Sequence, residues 1–186
     1  MGMGAVFSPS TFLELGSRWA VDIALHRLAR RGSIRRLARG LYDCPRQHRV
    51  FGVVFPSPEA VAKAIAGKDA IRFQPSGAYA ANLLGLSDQV PAKIVFLTEG
   101  RAKRVRIGRQ EIVLKRTSPK NMATAGRLSG LVIQALRYLG RAHVDDRTVA
   151  KLKQRLKAAD RGALLKDVPY APAWIGEIMK KTAEPA

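Results

Sequence analysis

Apolar and polar positions alternate along the chain with two different periods, and the change of period marks its elements. The clearest stripe is Leu128, Leu131, Val132, Ala135, Leu136 and Leu139, followed by Gly140; this spacing predicts an amphipathic helix closed by a left-handed glycine. Val21, Ala24, Leu25 and Leu28 repeat at i, i+3, i+4 and i+7 between Ser17 and Gly32. They predict a helix from Arg18 to Arg31 with Ser17 as its N-cap. Ahead of it, Ser8 precedes Pro9, Phe7 and Phe12 are spaced as a hydrophobic staple, and Gly16 follows Leu15. A short helix from Pro9 to Leu15 is therefore expected.

Strand-like segments flank these helices. Ser33 to Leu37 and Leu41 to Asp43, on either side of Ala38-Arg39-Gly40, read as a β-hairpin. Ile34 and Leu37 would lie on opposite faces of an ideal strand, so a bulge or an early turn must intervene. Beyond a proline-punctuated linker, Val54 to Pro58, the pattern predicts a helix at Glu59–Ala66 and a strand at Ala70–Gln74. A helix at Ser76–Leu84 capped by Ser76, a strand at Lys93–Thr98, and a hairpin of Arg104–Ile107 with Glu111–Arg116 follow. Asp145 or Asp146 caps a helix holding Val149, Leu152 and Leu156, and a last short helix holds Trp174, Ile175, Ile178 and Met179. The expected fold is α+β: a winged helix-turn-helix in residues 1–50, then an α+β domain in residues 51–186 with a small mixed sheet and C-terminal helices. A winged helix normally packs one more helix before this pair, and too few residues precede Ser8 to form it. Either another segment of the chain supplies that packing, or the native start lies upstream of Met1.

Charge sharpens this picture. The 186 residues carry 33 Lys and Arg against 14 Asp and Glu, a net charge of +19, which points to a polyanionic partner, nucleic acid first. The first 50 residues hold nine arginines and no lysine, and the guanidinium fork suits phosphates and guanine edges. At about 100° per residue, turning Val21, Ala24, Leu25 and Leu28 inward leaves Trp19, Ile23, His26, Arg27 and Arg30 outward, flanked by Arg18 and Asp22. Either protein holds this helix on two sides, or its apolar and cationic face meets a surface with apolar and anionic parts, such as a DNA groove. Arg18, Trp19, Asp22 and His26 are the candidates for base-edge contacts, and Ser17, Arg27, Arg30, Arg35, Arg36 and Arg39 for phosphate or minor-groove contacts. Gly40 would permit the wing's tight turn, with Leu41 and Tyr42 anchoring the second strand. An RNA-binding protein, or a module docking on an acidic protein, remains an alternative reading.

Catalytic constellations are not found: the chain has no P-loop, H-E-x-x-H, C-x-x-C or G-x-S-x-G. No enzymatic activity, cofactor or metal is expected. Cys44 is the single cysteine, and His26, His48 and His143 are isolated. Asp145-Asp146 and Ser76-Gly77 are read as helix caps rather than as metal or phosphate sites. The basic segment Arg147–Lys157 is read first as a solvated face, then as an auxiliary nucleic-acid contact or a docking surface for an acidic partner. With no signal sequence and no apolar run approaching ~18 residues, a soluble, cytoplasmic protein without membrane contact is expected.

Three stretches, VFSPSTFLELGSRWAVDIALHRLARRGSIRRLARGLYDCP, PSGAYAANLLGLSDQVPAKIVFLTEG and GRLSGLVIQALRYLG, carry a family likeness. The chain resembles the AbiEi-type antitoxins of type IV toxin-antitoxin systems, in the branch that joins a winged-helix N-terminus to an antitoxin C-terminal domain. The resemblance implies a DNA-binding antitoxin that represses its own operon at inverted repeats and counteracts a cognate nucleotidyltransferase-like toxin. Inverted repeats could be read by a weak dimer or by two monomers meeting on DNA. The departure from the pattern is the lacking first helix.

Overall fold

The arginine-dense N-terminal stretch folds into short elements in close succession. The computed structural model describes residues 2–50, 52–67 and 72–184. In it, β1 (Val6–Phe7) leads through a 3-10 turn at Pro9–Phe12 into α1 (Arg18–Arg30). The short helix expected over Pro9–Leu15 forms as this 3-10 turn and ends earlier, at Phe12. Thr11 N–H donates to Ser8 O at 3.0 Å and Leu15 N–H to Phe12 O at 2.9 Å, the i→i+3 bonding that so short a stretch adopts more readily than full α-turns. The staple forms as expected, with Phe7 and Phe12 edge to face at 5.4 Å. Ser17 Oγ accepts from Ala20 N–H at 3.3 Å and so caps α1.

After α1 come β2 (Arg35–Ala38) and β3 (Leu41–Asp43), paired antiparallel with Arg36 opposite Tyr42. The pairing shifts between Arg36 and Ala38, the bulge that the placement of Ile34 and Leu37 demanded. Gly40 turns the chain at φ +68°, a conformation that a Cβ would strain. β1 joins the outer side of β3, giving the order β1-β3-β2. Phe7, Val21, Leu25, Ile34 and Tyr42 form the core beneath. Each such side chain contributes about 1.5–3 kcal/mol when fully withdrawn from water.

A second hairpin, β4 (Arg46–His48) with β5 (Gly52–Val54), occupies the stretch expected to approach a linker. Then α2 (Pro58–Ala66) begins with Ser57 as cap and Pro58 in its first turn. The chain continues through β6 (Phe73–Ser76), α3 (Ala78–Leu83) and β7 (Lys93–Thr98) to β8 (Lys103–Ile107) and β9 (Gln110–Arg116). Ala70, where a strand was expected to start, lies outside the described residues.

Two compact units result: Met1–Ala70 with Lys103–Val113, and Ile71–Ala102 with Leu114–Ala186. This differs from a division at residue 50. Arg35 Nη2 donates to Val54 O at 3.1 Å, and its guanidinium lies 4.8 Å from the Phe55 ring centre, so the supposed linker is fastened to the N-terminal hairpin. β8 also belongs to the N-terminal unit, packing beside β2 and α2.

In the second unit β6 and β7 are antiparallel, from Phe73 opposite Thr98 to Ser76 opposite Val95. α4 (Pro119–Met122), α5 (Leu128–Leu139), α6 (Asp146–Arg155), α7 (Ala158–Asp167) and α8 (Ala173–Ala183) follow. The stripe of α5 forms the core with Leu84, Leu152, Leu164, Ile175 and Met179. Ser76 does not cap α3; it ends β6 and donates to Gln134 Oε1 at 3.1 Å, while Gly77, at φ +64°, precedes the helix. Buried Gln74 accepts from Gly126 N–H at 3.2 Å. Asp167, also buried, accepts from Arg127 Nη1 at 2.5 Å and from the Ser129 hydroxyl. Of the two acidic candidates it is Asp145 that caps α6, accepting Thr148 N–H and Oγ1–H, both at 2.8 Å. The fold is α+β, with small sheets and C-terminal helices. Among the described residues no helix is long and apolar enough to cross a membrane.

Candidate nucleic-acid interface

α1 buries fewer side chains than its stripe suggests. Val21 and Leu25 are in the core, but Ala24 is exposed and Leu28 is 38% exposed. Half of the expected inward face is therefore corrected to an open one. Phe12, Leu15, Ala20, Val21, Ala24 and Leu28 line an apolar groove of about 410 Å³ there, because among the described residues no element lies across that side of the helix.

The opposite face carries the candidate contacts. Ser17, Arg18, Trp19, His26, Arg27 and Arg30 are exposed, Asp22 is half-buried, and Ile23 is partly withdrawn rather than outward. Trp19 is 74% exposed, and indoles are enriched where a protein surface meets a partner. Arg18 Nε donates to Asp22 Oδ2 at 2.9 Å across one helical turn. An exposed pair of this type contributes at most about 1 kcal/mol to stability, but it fixes the direction of the guanidinium. Both terminal nitrogens stay available, and their fork matches guanine O6 and N7. Ser17 Oγ is occupied as an acceptor by its cap, which leaves the hydroxyl proton free for a phosphate. Arg27 and Arg30 in the last turn also favour the helix through its dipole.

On the hairpin the three arginines part company. Arg36 and Arg39 are exposed, and among the described residues neither has a carboxylate partner. Arg35 is different: it is half-buried and paired within the protein. Its Nε donates to Asp43 Oδ1 at 3.0 Å and its Nη2 to Asp43 Oδ2 at 2.6 Å, and Asp43 is 1% exposed. Arg35 and Asp43 are cross-strand partners, so this fork holds the hairpin closed and turns Nε and Nη2 to acceptors inside the protein.

The sequence profile of DUF6088, described as a family of unknown function, matches residues 1–164. The chain belongs to the DUF6088 family. No curated protein matches it. The span shared with DUF6088 takes in the whole α1 surface and both hairpins of the N-terminal unit, and ends inside α7.

This DUF6088 chain also places cations where the residue pattern had not pointed. Arg46 and Arg49, on and beside β4, are exposed in the N-terminal unit. They continue the lysine-free arginine run, a signal that was present in the sequence. Lys103, Arg104 and Arg106 of β8 are exposed in the same unit, and only long-range packing brings them there. Among the described residues no group of three His, Cys, Asp or Glu could hold a metal ion. Cys44 is half-buried beside the N-terminal core.

Proposed function

We propose that this DUF6088 protein binds duplex DNA with its N-terminal unit, in the manner of a winged helix. α1 enters the major groove by its Ser17-capped end, and the turn of the β2–β3 hairpin lies along the backbone. The observation that carries this reading is the exposed face of α1, where Arg18 is aimed by Asp22 beside an exposed Trp19 and three further basic side chains. The likeness to AbiEi-type antitoxins extends it. The protein then acts in the cytoplasm as an antitoxin, represses its own operon at inverted repeats, and counteracts a nucleotidyltransferase-like toxin. The reading assigns it no catalytic step.

Gel shifts on the DNA upstream of its own reading frame test the first part. Arg18→Ala is expected to cost about 1–3 kcal/mol on that DNA and little on random duplex, whereas Arg36→Ala weakens both and lowers the salt slope by about one. Equal competition by random duplex, or identical behaviour of the two variants, refutes it. Co-expression tests the second part. Rescue of growth from the product of the neighbouring gene is expected, and its failure removes the antitoxin role while leaving DNA binding in place.

A further inference from the structure

On the N-terminal unit, away from the residues assigned above to base reading, two adjoining cavities of about 500 and 330 Å³ share Ser8, Ser10, Ala64 and Gly67 in their walls. Their volumes fall in the range of small-molecule sites, roughly 300–1,000 Å³, and basic side chains stand in the walls of both. Lys63 lines the first cavity, and Arg39, Lys103 and Arg104 line the second. No carboxylate lines either among the described residues. Ser8 and Ser10 hydroxyls bond each other at 2.7 Å, which uses one of their two protons and leaves the other to donate.

The cations are also held in place. Lys103 Nζ donates to Ile65 O at 2.5 Å, so it covers the carbonyl end of α2 that would otherwise repel an anion at this wall. Arg104 Nε is 3.2 Å from Glu111 Oε1, which anchors its stem side and leaves its terminal nitrogens. Arg39 and Lys63 have no carboxylate partner among the described residues. A concave wall of four cations and two hydroxyls fits the anionic oxygens of phosphate groups.

We propose that this cleft between the Pro9–Phe12 turn, α2 and β8 is a phosphate-binding site, and that it takes the phosphodiester backbone flanking the duplex gripped by α1. The second clause rests on the DNA-binding reading. Arg39 links the two surfaces, since it sits at the turn of the β2–β3 hairpin and in the cleft wall, and β8 packs beside β2. The backbone running past the hairpin turn continues into the cleft, where Lys63 and Arg104 each neutralise one phosphate.

The test uses the full chain and two probes, a mixed-sequence 30-bp duplex and inorganic pyrophosphate. Lys63 and Arg104 are exposed, so Lys63→Gln/Arg104→Gln is expected to fold, and Lys63→Gln alone is the control that leaves Glu111 paired. For the duplex, the log K against log salt slope of the double variant is expected to be shallower by about 1.8, at about 0.9 for each phosphate no longer neutralised, and that of Lys63→Gln by about half as much. Pyrophosphate is expected to compete with the duplex in the wild type and not in the variant. Pyrophosphate binding that the variant loses, with the duplex slope unchanged, keeps the site and assigns it a free phosphorylated ligand. The same loss in a protein that binds no duplex keeps the cleft and ends the DNA reading. An unchanged slope together with unchanged pyrophosphate binding overturns the proposal.

Discussion

Arg35 and Arg36 are neighbours in sequence with opposite expected roles, and replacing each by alanine separates structure from recognition. In Arg35→Ala the Asp43 carboxylate, 1% exposed, loses two charge-assisted bonds of 3.0 and 2.6 Å. The bond to Val54 O at 3.1 Å and the packing on the Phe55 ring go with them. Removing one partner of a buried pair leaves an uncompensated charge, and costs about 3–5 kcal/mol. The whole stability of a small domain is only about 5–15 kcal/mol, so the N-terminal unit of this variant is expected to open readily. Arg36 is exposed and touches no carboxylate among the described residues, so Arg36→Ala should change stability by no more than about 0.5 kcal/mol. Hydrogen exchange read on peptides covering residues 33–54 measures both, since it reports opening of this unit separately from the other. Asp43→Ala and the double variant complete a cycle, in which the double variant is expected to lose less than the two single losses added. Protection in Arg35→Ala equal to that of the wild type refutes the structural role. So does a folded Arg35→Ala protein that binds DNA more weakly than Arg36→Ala.

Other consequences concern packing and pH. A Cβ at Gly130 would overlap the Thr124 carbonyl oxygen and lie 2.8 Å from Gln74 Oε1; Gly130→Ala is expected to destabilise the second unit by about 1–3 kcal/mol, measured by urea denaturation. Leu25→Ala, at a 5% exposed position, should cost about 2–5 kcal/mol, and Leu28→Ala, at 38%, clearly less; equal costs would mean that the open groove of α1 is covered in solution. Hydrogen bonds from Thr148 hold the Asp145 carboxyl below its ordinary range. A lowered folded value means that the α6 cap contributes fully above the ordinary carboxylate value of about 3.9 and is lost as pH falls through the lowered one. Protection of the amides in the first turn of α6, taken relative to their intrinsic exchange at each pH, should therefore fall in acid for the wild type but not for Asp145→Asn, and acid-independent protection in both would refute the assignment.

Local chemistry made much of this protein legible from its residues alone. Ser17, the α1 stripe and Gly32 set a helix that begins at Arg18 and ends at Arg30, and the α5 stripe with Gly140 set Leu128–Leu139, because caps and helical period act within a few residues. The clash of Ile34 with Leu37 announced the bulge between Arg36 and Ala38 for the same reason. α7 was not visible: its stretch AADRGALLKD lacks a continuous apolar face, and it packs against α5 and α8 with Leu164 as its buried anchor. Ser76 was misread as a cap because its Gln134 partner lies far away in sequence.

The candidate surface divides in the same way. Helical geometry gives the outward places of Arg18, Trp19, His26, Arg27 and Arg30 but not the exposure of Ala24 and Leu28 or the partial withdrawal of Ile23, and Arg18 with Asp22 one turn later could be paired on paper. That Arg35 turns inward to Asp43 while Arg36 and Arg39 stay outside depended on strand register and on the burial of Asp43. That β8 brings Lys103 and Arg104 to the N-terminal unit depended on packing across the 38 positions that separate Ile65 from Lys103. Composition and period are sums over neighbours in sequence, whereas the partners of a charge are neighbours in space, and only the folded chain supplies those.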